Sequence, residues 1–348
     1  MITLSSLAAR PLATLVSRPR PTTPTAPLAD PATFGPRDPH ARPWPGRELT
    51  AGGVTLHVRE TQGATDAEAV YVHGLSGSGT NWTDLAGLLA PRATGLAVDL
   101  PGFGFSRPPA APDYTPGGHA DALLCFLAGR GRPVHLLGNS LGGLVSVLVA
   151  SRRPDLVASL TLISPAMPVY RVPTAFSRAL LLLLLPGVPS LAARRIGGIS
   201  PEESVRAMIS MCFGEPSRVP PQRLEQAVLE MRERAEQPWA DRALVGSMRG
   251  LITSYLKVGA ANAWRAARSL SLPTLVIWGD RDRLVDPAVA PRLAAVIPDA
   301  GLLVLPGVGH VAMLESPEAT ARAVLGLVES MDRQRADNPR LQPTCHEA

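Results

Sequence analysis

Ser140 stands between two glycines in the run Val134-His-Leu-Leu-Gly138-Asn139-Ser140-Leu141-Gly142-Gly143. An apolar strand-like pattern precedes it. A helical pattern through Leu144, Val145, Leu148 and Val149 follows, so the serine is predicted on a sharp strand-to-helix turn. The flanking glycines leave room for the backbone that such a turn crowds. A serine held there can attack a carbonyl. The Leu141 N–H, at a helix N-terminus where the dipole favours negative charge, can then hold the oxyanion. A serine between glycines is often an ordinary turn residue; the strand before it and the helix after it give this one chemical meaning.

An unaided hydroxyl is a weak nucleophile and needs a base. Of the seven histidines only His310 and His346 follow Ser140. His346 belongs to a polar tail. His310 lies in Gly307-Val-Gly309-His310, just past the apolar run Gly301 to Leu305, where a loop would carry it to the carboxyl edge of a sheet. His40, His57, His119 and His135 read as leader, hairpin, helix-start and strand residues without chemistry. The base in turn needs a carboxylate that fixes its tautomer. Asp280, Asp282 and Asp286 crowd the segment Trp278 to Pro287. Asp286 precedes a proline and reads as a helix N-cap, which leaves Asp280 and Asp282.

Residues so far apart in sequence must be gathered by a scaffold. Short β-branched runs alternate with helical patterns, the mark of a mostly parallel sheet crossed by helices on both faces. Strands are predicted at Ala69 to Val72, Thr94 to Asp99, Val134 to Gly138, Ser159 to Ile163, Thr274 to Trp278 and Gly301 to Leu305. With an opening hairpin, Glu48 to Ala51 and Val54 to Glu60 around Gly52-Gly53, they total eight. Between Ile163 and Leu272 the rhythm breaks into helical pattern punctuated by proline. The expected organisation is a disordered Pro-rich leader over 1–45, an α/β core over 46–165 and 272–330, a helical cap inserted over 166–271, and a polar tail over 331–348. The insertion is expected to cover Ser140 and form most of an apolar pocket. One face of the leucine run Leu180 to Leu185 can pack on the core while another lines that pocket, the alternative being that the run only packs the cap.

With the motifs placed, the chain from about Arg47 to Ser330 resembles the α/β-hydrolase superfamily, in its cap-bearing branch of esterases, lipases and carbon–carbon bond hydrolases. Val72-His73-Gly74-Leu75 resembles the family's H-G-x oxyanion loop. Asp99-Leu-Pro101-Gly102-Phe-Gly104-Phe-Ser106 resembles its D-x-P-G-x-G-x-S turn, and Gly279-Asp-Arg-Asp282 its G-x-x-D acid turn. The resemblance implies Asp282 as the triad acid and the Leu75 N–H as the second oxyanion donor, with His73 and Asp99 structural. Families with an aspartate nucleophile are argued against by Ser140. A carbon–carbon hydrolase stays open, although many of these carry Trp after the histidine and this chain has Val311.

Composition trims the remaining classes. Hydrophobic residues make up 45% of the 348, enough for a sizeable core. All but one of the 34 basic residues are arginine, dispersed along the chain, and aromatics are only 4%, so no nucleic-acid platform is expected. The only lysine is Lys257 and no phosphate-binding G-x-x-x-x-G-K-[ST] exists. No cofactor and no metal are expected, because H-E-x-x-H and CxxC spacings are absent. Unpaired cysteine usage points to a cytoplasmic setting. The expected partner is a small-molecule substrate, with no stable membrane insertion and at most weak surface contact. The reading is a serine hydrolase that cleaves an ester-like bond through an acyl-enzyme. Its alternatives are a carbon–carbon bond hydrolase on the same triad and a non-catalytic binder on the same fold.

Overall fold

A computed structural model describes residues 24–169 apart from 36 and 39, residues 198–259 and 262–337, and the isolated positions 185, 187, 188 and 191. The apolar runs form β1 Gly46–Ala51, β2 Val54–Thr61, β3 Glu68–Val72, β4 Thr94–Val98, β5 Val134–Asn139, β6 Val157–Ile163, β7 Thr274–Gly279 and β8 Ala300–Leu305. They make one sheet in the order β1-β2-β4-β3-β5-β6-β7-β8. β2 runs antiparallel to β1 and β4, and every later pairing is parallel. β3 and β7 are buried at every position, as strands covered on both faces must be.

The covering helices are α1 Thr83–Leu89, α2 Pro116–Ala128, α3 Leu141–Arg152, α4 Pro201–Cys212, α5 Pro221–Ala235, α6 Ala240–Ser254, α7 Ala263–Arg268, α8 Val289–Val296, α9 Ala312–Glu315 and α10 Pro317–Asp337. On one face Phe126 of α2, Val145 of α3, Trp264 of α7 and Leu293 of α8 pack against Val70, Leu136 and Val276 of the strands. On the other, Leu85 of α1, Met313 of α9 and Val324 of α10 pack with Tyr71, Leu137 and Ile277. Alternate strand residues feed opposite cores, as the twofold period of a strand requires.

Helices α4, α5 and α6 all lie between β6 and β7, the interval expected to hold the inserted cap. α4 starts on a capping box in which Ser200 and Glu203 satisfy each other's backbone donors, with Pro201 in the first turn. α6 is tied to α2 by Ser247 Oγ and His119 Nε2 at 3.0 Å. Of the leucine run, residues 180–184 lie outside the described residues; Leu185 is exposed.

The structure differs from the expected disordered leader over the part it describes. Leu302 N–H donates to the Pro24 carbonyl and Ala26 N–H to the Leu302 carbonyl, both at 3.0 Å, so this segment lies along the outer edge of β8. Ala26 and Ala29 are buried there. Proline-rich chain runs extended, and an exposed sheet edge is stabilised by any extended segment that pairs with it. Composition alone carries no trace of a partner so distant in sequence. The expected polar tail also begins later, because α10 continues past Ser330 to Asp337.

Candidate active site

β3 lies between β4 and β5, so the strand order reverses at its carboxyl end, where open α/β sheets leave a crevice. Ser140 follows β5 at this point. Its backbone is left-handed, with φ 53° and ψ −117°, a strained state for a residue with a side chain. The strain is held in place. Ser140 N–H donates to the Ile163 carbonyl at 3.1 Å, and its own carbonyl accepts from Leu144 and Ala166 at 3.0 and 2.9 Å. A Cβ on Gly142 would sit 2.3 Å from the Val72 carbonyl oxygen, so only glycine lets α3 start this close to β3. Leu141 is the first residue of α3, and a helix offers no internal acceptor to its first N–H.

The segment Val72-His73-Gly74-Leu75 lies beside the serine. A Cβ on Gly74 would come within 3.0 Å of Ser140 Cβ. Gly77 N–H donates to the Gly74 carbonyl at 3.0 Å and closes a tight turn that contains Leu75. His73 supports that turn from inside the core. Its Nδ1 lies 2.7 Å from the Gly74 carbonyl, which can only accept, so Nδ1 carries the proton and Nε2 accepts from Leu100 N–H at 3.0 Å. Burial lowers the His73 pKa despite the opposing pull of Asp99 and Gly74, which keeps this tautomer neutral. Asp99 accepts from Gly79 N–H at 2.6 Å and Phe105 N–H at 3.0 Å, and meets His57 Nδ1 at 2.7 Å. Burial would raise its carboxyl, but these donors and His73 outweigh that and lower it. Both His73 and Asp99 therefore brace loops.

Of the two candidate acids, Asp282 meets the histidine: its Oδ2 lies 2.8 Å from His310 Nδ1. The other oxygen accepts from Leu284 N–H at 2.9 Å and Val285 N–H at 3.0 Å. Burial raises the Asp282 carboxyl, yet His310 and the two backbone donors hold it below its ordinary value. An ionised carboxylate only accepts, so His310 donates from Nδ1, and in the neutral ring that tautomer places the lone pair on Nε2. Asp280 takes a different partner, Gly307 N–H at 2.7 Å. Asp286 accepts from Ala288 N–H at 2.9 Å, capping the turn that leads into α8, and the helix itself starts at Val289.

Asn139 joins the two halves of the site. Its Nδ2 donates to the Ile163 carbonyl at 3.1 Å and to the His310 carbonyl at 3.0 Å, tying the serine turn to the histidine loop. His310 N–H donates to the Cys212 carbonyl at 2.6 Å. Glu315 clamps the same region: its carboxylate accepts from Gly309 N–H at 2.7 Å and from Gly214 and Glu215 N–H, both at 3.0 Å. Inspection of the sequence did not single out Glu315, because its partners are main-chain groups that any residue supplies.

A family model described as the alpha/beta hydrolase fold matches residues 70–317. The chain belongs to the α/β-hydrolase fold family. Among its relatives in that family, Lipase 3 of Moraxella sp. is 27% identical over 274 residues, 78% of this chain and 80% of that protein. A 2-(acetamidomethylene)succinate hydrolase of Mesorhizobium japonicum is 28% identical over 291 residues, 82% of this chain and 95% of the relative. The meta-cleavage product hydrolase of Pseudomonas fluorescens shares the fold with a TM-score of 0.65 at 22% identity, over 82% of this chain and 98% of its own. The protein is thus an α/β-fold hydrolase. No helix among the described residues is long and apolar enough to cross a membrane.

Proposed function

We propose that this α/β-hydrolase is a serine hydrolase that cleaves an ester-like bond in a small, apolar substrate, with Ser140 as nucleophile, His310 as base and Asp282 as the orienting acid. The observation that carries the reading is the Asp282–His310 pair at 2.8 Å, joined through Asn139 to the strained turn that presents Ser140. In the first step Nε2 of His310 takes the Ser140 proton as Oγ bonds to the carbonyl carbon. The carbonyl electrons move onto oxygen, and the N–H groups of Leu75 and Leu141 hold that oxyanion. Its collapse breaks the ester bond, and His310 returns the proton to the leaving alkoxide. Water then repeats the sequence on the acyl-enzyme, releasing the acid and restoring Ser140. Asp282 keeps the imidazole in one tautomer and stabilises the imidazolium. A reducing, cytoplasmic setting fits this reading, since Cys125 and Cys212 are free thiols.

A fluorophosphonate probe should label wild-type protein and leave Ser140→Ala unlabelled. Product analysis on a p-nitrophenyl ester panel beside a meta-cleavage diketone separates ester from carbon–carbon chemistry. Folded wild-type protein that takes no label would instead support a binding protein on this fold.

A further inference from the structure

Two side chains of α5, four residues apart and so on one face of the helix, reach down to the loop that carries Leu75. Arg234 Nη1 donates to the Ser76 carbonyl at 2.9 Å and to Ser76 Oγ at 3.2 Å. Its guanidinium lies over the Phe103 ring, 5.4 Å from the centroid. Glu230 accepts from Thr80 Oγ1 at 2.5 Å, one turn earlier on the helix and just beyond Ser76 on the loop. Ser76 itself has φ 66°, a left-handed backbone carrying a side chain. Such a residue stays strained only where its surroundings over-determine it.

The surroundings differ on the loop's two sides. From within the core, His73 and the Gly77 N–H hold the Gly74 carbonyl. Arg234 grips Ser76 from the other side, on a helix that the chain inserts between β6 and β7. Leu75 lies between those two grips, and the direction of its N–H depends on both. Both bonds come from the one nitrogen Nη1, whose direction is set by the planar guanidinium lying over Phe103, and a lysine ammonium has no such plane to fix the direction of its N–H bonds.

We propose that Arg234 is a positioning residue for the oxyanion hole: by clamping Ser76 it fixes the Gly74–Gly77 turn and thereby aims the Leu75 N–H at the developing oxyanion. The proposal rests on the serine-hydrolase reading above. It makes the cap part of the catalytic scaffold as well as a cover.

The test compares wild type, Arg234→Met and Arg234→Lys on an ester and on its thiono analogue, in which the attacked carbonyl oxygen is sulfur. Sulfur accepts hydrogen bonds poorly, so an aligned oxyanion hole favours the oxygen substrate and a misaligned one discriminates less. Complete loss of an oxyanion donor costs roughly 10²–10³ in kcat. For a displaced donor both variants should lose about 10- to 100-fold in kcat on the oxygen ester, with KM within about twofold and a smaller oxygen-to-sulfur rate ratio. Unchanged kcat and ratio in folded variants would overturn the proposal, as would a rise in KM alone, which marks a substrate contact. If the methionine variant does not fold, Arg234→Lys, which keeps the charge over Phe103, decides by the same ratio. Ser140→Ala separates the two levels. If it hydrolyses the ester as fast as wild type, the serine-hydrolase reading fails and the clamp with it. If it is inactive while the Arg234 variants keep the wild-type ratio, the clamp alone fails.

Discussion

Replacing Glu315 with alanine strands three backbone donors at once, the N–H groups of Gly309, Gly214 and Glu215. Gly309 and Gly214 are buried, whereas Glu215 keeps enough surface to be hydrated. A buried donor left without an acceptor costs about 1–3 kcal/mol, so the two buried groups together should cost about 4 kcal/mol. At about 2 °C per kcal/mol for a chain of this size, the unfolding midpoint should fall by about 8 °C. Activity should fall as well, because Gly309 immediately precedes His310. A misplacement of about 1 Å can cost roughly 10² in rate, so kcat should drop about 10- to 100-fold with KM little changed. Glu315→Gln should fall between: its one carbonyl oxygen can still serve Gly309 and Gly214, but its NH₂ then confronts the Glu215 N–H. Thermal melts followed by circular dichroism give the first quantity. Steady-state kinetics on a p-nitrophenyl ester, well below the midpoint, give the second. Wild-type kcat in a variant whose midpoint has dropped would show that Glu315 staples the turn after α4 and leaves the histidine alone. If neither quantity moved, the hydrogen-bond reasoning itself would be refuted.

Asp282→Asn should lower kcat by roughly 10⁴, as loss of the correct histidine tautomer does in triads, whereas Asp280→Asn keeps an acceptor for Gly307 and should cost little; a reversed order of the two would remove Asp282 from the mechanism. Ser140→Ala and His310→Ala should each lower kcat by several orders of magnitude, with the double variant scarcely worse because the triad acts as a unit; additive losses would argue against it. Gly142→Ala forces a Cβ against the carbonyls of Val72 and His73 and should cost on the order of 3 kcal/mol, read in urea melts. A variant as stable as wild type would mean that α3 can move off β3. Burial, aided by His73 and opposed by Asp113, brings the His119 pKa down to about 4. The unfolded chain takes up that proton near pH 6.5, so His119 contributes stability that is present above about 6.5 and lost as the pH falls toward 4, about 3 kcal/mol in all. Urea melts at pH 7 and pH 4.5 should show a weaker pH dependence in His119→Gln; an unchanged difference between the two pH values would exclude His119 as a contributor.

Sequence alone determined the eight strands, because both the apolar runs of buried strands and the turn residues between them are local in period and composition. It also marked Ser140 through its paired glycines, and His310 by elimination among few histidines. Asp280 and Asp282 could not be separated on spacing, since both lie on one short loop after β7; the family resemblance favoured Asp282. Only the folded chain shows that Asp282 reaches His310 while Asp280 turns back to Gly307. The packing of the leader against β8, Asn139 as the bridge between two loops, and the grips of Glu315 and Arg234 were likewise settled by tertiary structure. Each of these joins a side chain or an extended segment to main-chain atoms, and apart from Glu315 with Gly309 the partners lie far away in sequence. Every residue carries such main-chain donors and acceptors, so side-chain identity leaves no sign of which of them will be met. Their pairing is decided by the path of the backbone, which brings residues 24–26 to β8, the His310 loop to Asn139, and α5 to the loop after β3.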